Sequence, residues 1–257
     1  MPFPASFDAF VPSNLPDFFT LAKVKPDYVS FETLRAVPLD EEHILSKDYA
    51  KKITIPAGYL HSLRVYYFAL AILYNGFSSA TPGVPQLTFV ELNRRLYHTC
   101  ILHDLGWTKA LEGLAHPTAA MTFEFHGGFL AYEHLRKIAP DLTSSQISDI
   151  VQSIMLHTSQ WPSGQSSIVK SLLSVAAIFD IGGYDGQGAG SFDFLIHRKT
   201  VQEIEKEFPR GNFVAESSEI LGREFEKKPD CLLGHFPGGS EAFLQIVRKE
   251  PIVPVDE

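Results

Sequence analysis

Histidine and aspartate residues stand at five places within or at the ends of apolar segments: His61, His103, Asp104, His157 and Asp180. Each one taken alone is most simply explained as a core histidine with satisfied hydrogen bonds, or as the polar end of a helix. As a set they need a further explanation, because burying several ionisable side chains is costly unless they pair or bind a metal. Imidazole and carboxylate groups together suit Zn²⁺, Fe²⁺ or Mn²⁺. The set therefore indicates a metal site assembled between helices.

The segments that carry these residues have the patterns of helices. Pro56 stands at a plausible helix start, and the segment that follows it is apolar almost all round, as expected of a buried helix. Thr88 with Glu91 and Thr143 with Gln146 have capping-box spacing, each pair directly before an apolar run. These signals place the polar set on helices that converge in a core.

Paired glycines, Gly127 and Gly128, interrupt one of these helices. A glycine inside a helix costs about 1 kcal/mol relative to alanine. The pair therefore predicts close packing or a nearby ligand.

Strand signals are weak, and the chain shows no repeat, low-complexity tract or long linker. Residues 1–55, rich in Pro and Phe, are predicted to form an irregular arm that could include one short helix. The fold class predicted is all-α, with the arm followed by a helical domain over residues 56–250 and a metal-binding core at about 56–185. Three more helices are predicted near residues 198–208, 213–227 and 239–249.

Composition excludes several classes of function. The chain has 257 residues, 45% of them hydrophobic, and a formal net charge of −8. That charge argues against nucleic-acid and acidic membrane surfaces as partners, since both require a basic field. Cys100 and Cys231 are too few for a disulfide framework. With no apolar run of membrane-spanning length and no secretory signal, we expect a cytoplasmic location.

Three short motifs resemble those of a known superfamily. "HSLRV" at His61, "ILHDLG" at His103 and Asp104, and "IFD" ending at Asp180 are similar to the H…HD…D signature of HD-domain metalloproteins. The resemblance spans roughly residues 55–185. It implies a helical bundle that holds its metal between helices, with His61, His103, Asp104 and Asp180 as the metal ligands.

Longer stretches narrow the resemblance to one branch. "HSLRVYYFALAI", "MTFEFHGGFLAYEHL" and "FD" followed by "IGGY" look like the fungal cyanamide hydratase family. The resemblance implies hydration of the C≡N bond of cyanamide, giving urea, at a single zinc ion. It also implies a homodimer, and a small-molecule substrate as the partner rather than a nucleic acid or membrane.

The chain departs from the family pattern around the expected pocket. Ala177 stands where members have Thr, "HTSQWPSG" replaces the family's sequence after His157, and His126 stands where an aromatic residue is usual. The resemblance therefore supports the fold and the metal more strongly than it supports the substrate. A related small nitrile or amide is the second expectation for the substrate. Aromatic and small residues beside the expected ligands predict a substrate pocket. Its predicted members are Trp107, Phe123, Ala177 and Trp161.

The expected chemistry needs proton transfer. Bound Zn²⁺ can lower the pKa of its water from 15.7 to about 7, which would supply hydroxide to attack the nitrile carbon. His157 is the candidate general acid, with Glu124 as its carboxylate partner and Thr158 or a water as relay. General acid–base help of this kind contributes roughly 10²–10⁴ in rate.

Three alternatives remain open from the residues. An HD phosphohydrolase would carry Lys directly after "HD-x-G", whereas here Trp107 follows and Lys109 comes two residues later. A di-iron HD oxygenase would add His126 and His157 to the ligand set. A degenerate HD domain would serve only as a binding module, although degeneration usually removes a ligand first.

Overall fold

Helices dominate the protein, as its computed structural model shows for residues 4–249. The predicted all-α class is confirmed, with four short strands as the only additions in this range. The strands are β1 (Ser6–Asp8), β2 (Phe10–Pro12), β3 (Gln86–Thr88) and β4 (Gln165–Ser167). The helices are α1 (Leu15–Ala22), α2 (Phe31–Arg35), α3 (Glu41–Ile53), α4 (Pro56–Tyr74), α5 (Phe89–Leu102), α6 (Leu111–Leu114), α7 (Phe123–Ile138), α8 (Ser144–Leu156), α9 (Ile168–Gly182), α10 (Arg198–Glu207), α11 (Phe213–Lys227) and α12 (Gly239–Val247).

Helix α4 is the centre of the bundle and packs against α5 and α9, while α8 packs against α5, α7 and α9. Its burial follows from its sequence, because fifteen of its residues are buried and apolar residues occur on every side. The predicted helix starts are confirmed. Pro56 lies in the first turn of α4, the Thr88 hydroxyl accepts from the Glu91 N–H, and Thr143 forms a capping box with Gln146.

The N-terminal segment is more ordered than the sequence indicated, so the prediction of an irregular arm is wrong for residues 4–55. This segment forms α1, α2 and α3 and pairs two strands with the domain: β1 with β3 and β2 with β4, both antiparallel. The buried positions of α3 include His43, Ser46 and Ala50. Because polar and small residues fill that face, its hydrophobic periodicity is weak in the sequence.

Close approach of α7 to the turn after α5 explains the paired glycines. A Cβ on Gly127 would lie 3.1 Å from the His103 carbonyl oxygen, and one on Gly106 would lie 2.1 Å from that of Phe123. A Cβ on Gly128 would meet the Met155 side chain at 2.5 Å. The close-packing alternative is therefore confirmed.

A second, smaller hydrophobic cluster covers one end of the bundle. It joins Trp107 and Phe123 to apolar residues of α11, α12 and the 3₁₀ helix Leu232–His235. The C-terminal helices therefore lie against the end of α5, where His103 and Asp104 are.

Within residues 4–249, every helix falls short of the length and apolarity that a bilayer crossing demands. Cys100 and Cys231 are both free and buried.

Candidate metal centre and its cavity

Three potential metal ligands meet in the core. His61 comes from α4, His103 caps the C-terminus of α5, and Asp104 follows it. Their ligand atoms all lie within 4.8 Å of one another. His61 Nε2 is 3.3 Å from His103 Nε2, and Asp104 Oδ2 is 3.3 Å from His103 Nε2 and 3.6 Å from His61 Nε2. All three side chains are buried.

The hydrogen bonds of the two imidazoles determine which atoms face this meeting point. His103 Nδ1 donates to the Cys100 carbonyl at 2.8 Å, and His61 Nδ1 donates to Asp180 Oδ2 at 2.5 Å. Burial lowers the pKa of both histidines, so they are neutral and each Nε2 is an acceptor with a lone pair. Two lone pairs and a carboxylate oxygen therefore face one another.

Asp104 strengthens the case for a bound cation. Its Oδ2 has no hydrogen-bond partner among residues 4–249. Burial, with Glu124 and Asp180 nearby, raises the pKa of Asp104 well above its ordinary value. A buried carboxylate oxygen without a donor is costly. When Asp104 is ionised, all three convergent atoms are acceptors, and a metal ion is the partner that satisfies them together, so the donor set fits one.

Asp180 has a different set of contacts. Its four lone-pair positions accept from His61 Nδ1, from Arg64 Nε at 2.8 Å and Nη2 at 2.9 Å, and from Arg210 Nη2 at 3.0 Å. Burial favours the neutral acid, but Arg210 and Arg64 outweigh it and hold the pKa of Asp180 well below its usual range. Direct coordination would cost it one of these bonds. Its place as a fourth ligand stays a prediction, and what the structure shows is that it orients His61.

His157 lies beside the centre at the C-terminus of α8. Its ring is perpendicular to that of His103, with the centroids 5.1 Å apart. Nδ1 donates to the Ile154 carbonyl at 2.7 Å, and burial lowers the pKa of His157 to about 4. A neutral His157 therefore presents Nε2 as an acceptor, which suits a base that takes a proton before it returns one.

The predicted pairing of His157 with Glu124 is wrong. The Glu124 carboxylate accepts instead from the Thr158 hydroxyl at 2.6 Å and from the Thr122 hydroxyl. His157 cannot use it because the helix end turns Nδ1 toward its own backbone. Glu124 is fully buried, which raises its pKa. Its contact with Thr158 directs that hydroxyl's proton away from the cavity and leaves oxygen lone pairs free.

A cavity of about 70 Å³ adjoins the centre. His61, His103, Asp104, His157 and Thr158 line it, together with three of the predicted pocket residues, Trp107, Phe123 and Ala177. Residues that sequence reasoning missed complete the lining: Gln160, Ser174, Ile178, Ile181, Gln187, Leu233, Phe236 and Phe243.

Charge in the lining bears on the phosphohydrolase alternative. Among the described residues the cavity has no Lys or Arg in its wall. Lys109, the nearest basic residue in sequence to the HD pair, instead contacts Glu219 at 3.1 Å on the surface. A phosphate-binding site normally supplies such a cation, so this cavity does not resemble one.

Two predicted pocket or ligand residues lie elsewhere. Trp161 is 48% exposed and lines a separate surface groove with Phe10, so its predicted place in the substrate pocket is wrong. His126 Nδ1 lies 2.8 Å from the Thr118 hydroxyl, its ring is tilted against that of His116, and it does not line the cavity. The ligand set of the di-iron alternative therefore lacks one of its members.

A second histidine cluster, Glu42, His43 and His98, also has metal-like spacing. Its atoms already have other partners, apart from His43 Nε2, which has none among the described residues. Both Glu42 oxygens accept from Arg94, and one is 3.2 Å from His98 Nε2. His43 Nδ1 accepts from the Asp40 N–H, so in the neutral ring Nε2 carries the proton and has no lone pair to offer. The cluster is a hydrogen-bonded link between α3 and α5.

No protein-family model matches the chain, but whole-chain comparison finds relatives. Two proteins of Saccharomyces cerevisiae, cyanamide hydratase DDI2 and cyanamide hydratase DDI3, are each 28% identical over 195 residues. The aligned region covers 75% of this chain and 76% of each relative. The chain is therefore similar to two cyanamide hydratases over three quarters of its length, and it brings His61, His103 and Asp104 together in a buried centre.

Proposed function

We propose that the chain hydrates the C≡N bond of cyanamide, giving urea, or of a closely related small nitrile, with the help of one bound Zn²⁺. The observation that carries the proposal is the convergence of His61 Nε2, His103 Nε2 and Asp104 Oδ2 beside a small cavity whose described wall contains no Lys or Arg. The names of the two yeast relatives support the choice of reaction.

His61, His103 and Asp104 would hold the ion, with Asp180 orienting His61. Bound Zn²⁺ supplies Lewis acidity and a water whose pKa falls to about 7. Two imidazoles and a carboxylate are a common ligand set for catalytic zinc, which keeps a position open. Fe²⁺ and Mn²⁺ use the same ligands and are the alternatives for the identity of the metal.

Hydration requires both hydrogens of one water to end on the nitrile nitrogen while its oxygen bonds to the carbon. His157 is placed to move one of them. As a neutral imidazole with Nδ1 bound to the Ile154 carbonyl, it accepts a proton at Nε2 and then returns it to nitrogen. Because burial lowers the pKa of His157 to about 4, the protonated ring is a strong donor for the return, while the neutral ring is a weak base for the first transfer.

Thr158 and Glu124 position the substrate in this proposal. Glu124 fixes the Thr158 hydroxyl so that its oxygen lone pairs face the cavity that it lines. An amino group such as that of cyanamide has N–H donors that match these lone pairs. The apolar side chains around them exclude competing water.

The test is urea formation from cyanamide by the purified protein, before chelation, after chelation and after zinc is restored. A generic phosphodiester is assayed in parallel. Urea formation that chelation abolishes and zinc restores is the expected result. Asp104→Asn should remove it, whereas Asp48→Asn, at an exposed position of α3, should not. Hydrolysis of the phosphodiester alone would refute the proposal.

A further inference from the structure

The C-terminal helices form one wall of the cavity. Leu233, Phe236 and Phe243 line it, and the Phe236 and Phe243 rings contact each other edge to face with centroids 5.2 Å apart. We propose that this C-terminal wall, within residues 213–247, limits the substrate to uncharged nitriles of about three to five non-hydrogen atoms. The inference rests on the proposed hydratase function and names the substrate class of that site.

The volume of the cavity provides the size limit. One water needs roughly 10–15 Å³ of such space, so about 70 Å³ accommodates about five water-sized groups. Cyanamide, with three non-hydrogen atoms, fits beside the nucleophilic water. A phenyl-bearing nitrile exceeds the space unless a wall residue moves, and overpacking of this kind is costly.

Hydrogen bonds anchor the wall to the helices that carry the site. On α11, Glu216 accepts from the Ala57 N–H at the start of α4, at 3.1 Å, and Glu224 accepts from the Phe123 N–H at the start of α7, at 2.8 Å. Carboxylates at helix N-termini are favourable because they satisfy free N–H groups and complement the helix dipole. The wall is therefore held in a defined position relative to His61 and Glu124.

A third contact reaches the buried carboxylate directly. The Leu232 N–H donates to the Thr122 hydroxyl at 3.2 Å, and that hydroxyl donates to Glu124. The segment bearing Leu233 and Phe236 is thus tied to the group that fixes Thr158. A wall with three such anchors resists the outward shift that a larger substrate would require.

Electrostatics restricts the charge of the substrate. In the described part of the chain the cavity wall contains Asp104 and no Lys or Arg. Asp104 and the hydroxide nucleophile would together offset the charge of a bound Zn²⁺, so an anionic nitrile would lose its hydration without a net attraction in return, which is unfavourable in a buried site. Cyanoacetate exceeds the size limit only slightly and is smaller than benzonitrile, so a variant that accepts benzonitrile and still rejects cyanoacetate would discriminate on charge.

The experiment compares hydration of cyanamide, propionitrile, benzonitrile and cyanoacetate by wild type, Phe236→Ala and Phe243→Ala. Phe225→Ala is the matched control, because Phe225 packs against the same hydrophobic cluster but does not line the cavity. Phe236→Leu and Phe243→Leu are milder versions for the case that an alanine variant fails to fold.

In wild type, kcat/KM for benzonitrile should be at least about 100-fold below that for cyanamide. Phe236→Ala or Phe243→Ala should raise the benzonitrile-to-cyanamide ratio about tenfold or more, while Phe225→Ala leaves it unchanged and cyanoacetate stays unreactive. Wild type that hydrates benzonitrile as well as cyanamide, or a control variant that shifts the ratio equally, would overturn the size limit alone. Failure of every protein on every nitrile would overturn the proposed function and the size limit with it.

Discussion

Replacing Asp104 by Asn should have opposite effects on the metal-free and metal-loaded protein. In the metal-free protein the Asp104 Oδ2 atom has no hydrogen-bond partner in the described structure and lies 3.3–3.6 Å from two imidazole Nε2 atoms. An Asn amide placed there can donate to those lone pairs at any pH, whereas the Asp104 carboxyl can donate only when it is protonated. At a pH above the raised pKa of Asp104, the metal-free variant should therefore be more stable than wild type, by about 1–2 kcal/mol.

Zinc should reverse that order. A ligand that binds only the folded protein stabilises it by about 2.7 kcal/mol at a free concentration 100 times its Kd. For a protein of this size, each kcal/mol moves the melting temperature by about 2–4 °C, so wild type should gain about 5–10 °C. Asn supplies neither the charge nor the preferred ligand atom for zinc, so the variant should lose most of that gain.

The assay is thermal unfolding of both proteins with and without zinc, alongside metal content after dialysis. Asp48→Asn, at an exposed position, should melt like wild type under both conditions. A variant that is destabilised without metal, yet keeps the full zinc-dependent shift and its metal content, would refute the assignment. Asp104 would then be a structural residue of the core rather than a ligand.

Three further outcomes follow from the site and its surroundings. His157→Ala should lower kcat for cyanamide by roughly 10²–10⁴ without changing zinc content. His126→Ala, outside the cavity, should leave kcat unchanged. Unaltered turnover in His157→Ala would refute the role of His157 in proton transfer. Trp107 lines the cavity, and its indole N–H has no hydrogen-bond partner within residues 4–249, so it can donate to a substrate. Trp107→Phe should therefore lower kcat/KM by up to about tenfold, whereas Trp161→Phe should not. Equal losses in the two variants would contradict a role for the Trp107 N–H. Burial lowers the pKa of Lys170 from 10.5 to about 8, and its ammonium donates to the Ser159 carbonyl at 2.7 Å. Between these two pKa values, Lys170 binds its proton more tightly in the unfolded chain than in the folded protein. The free energy of unfolding of wild type, relative to that of Lys170→Met, should therefore rise from pH 8 to 10.5 by up to about 3 kcal/mol. Urea titrations in which this difference between the two proteins does not change with pH would contradict the prediction.

Local signals in the sequence were sufficient for the helices and for the centre of the site. The starts of α4, α5 and α8 depend on proline or on capping residues within one helical turn, so they can be predicted from the sequence without knowledge of the fold. The same is true of His61, His103 and Asp104. An ionisable residue inside an apolar helix must find a partner wherever the helix packs, so its type and position already indicate its chemistry.

The partners of those residues depended on contacts between distant parts of the chain. Arg210 reaches Asp180 across 30 residues, Thr158 reaches Glu124 across 34, and Leu232 reaches Thr122 across 110. No periodicity or spacing encodes such pairs, which is why the pairing of His157 with Glu124 was mistaken.

The wall of the cavity shows the same division between local and distant information. Trp107 and Phe123 were identified because they lie beside candidate ligands in sequence, but the same reasoning wrongly included Trp161. That reasoning missed Phe236 and Phe243, because more than 50 residues separate them from Asp180, the last candidate ligand in the sequence. Residue types and local spacing thus determined the helices and which ionisable side chains lie at the centre of the site. Only tertiary packing, which brings the C-terminal helices over the end of α5, decided how large the cavity is and what encloses it.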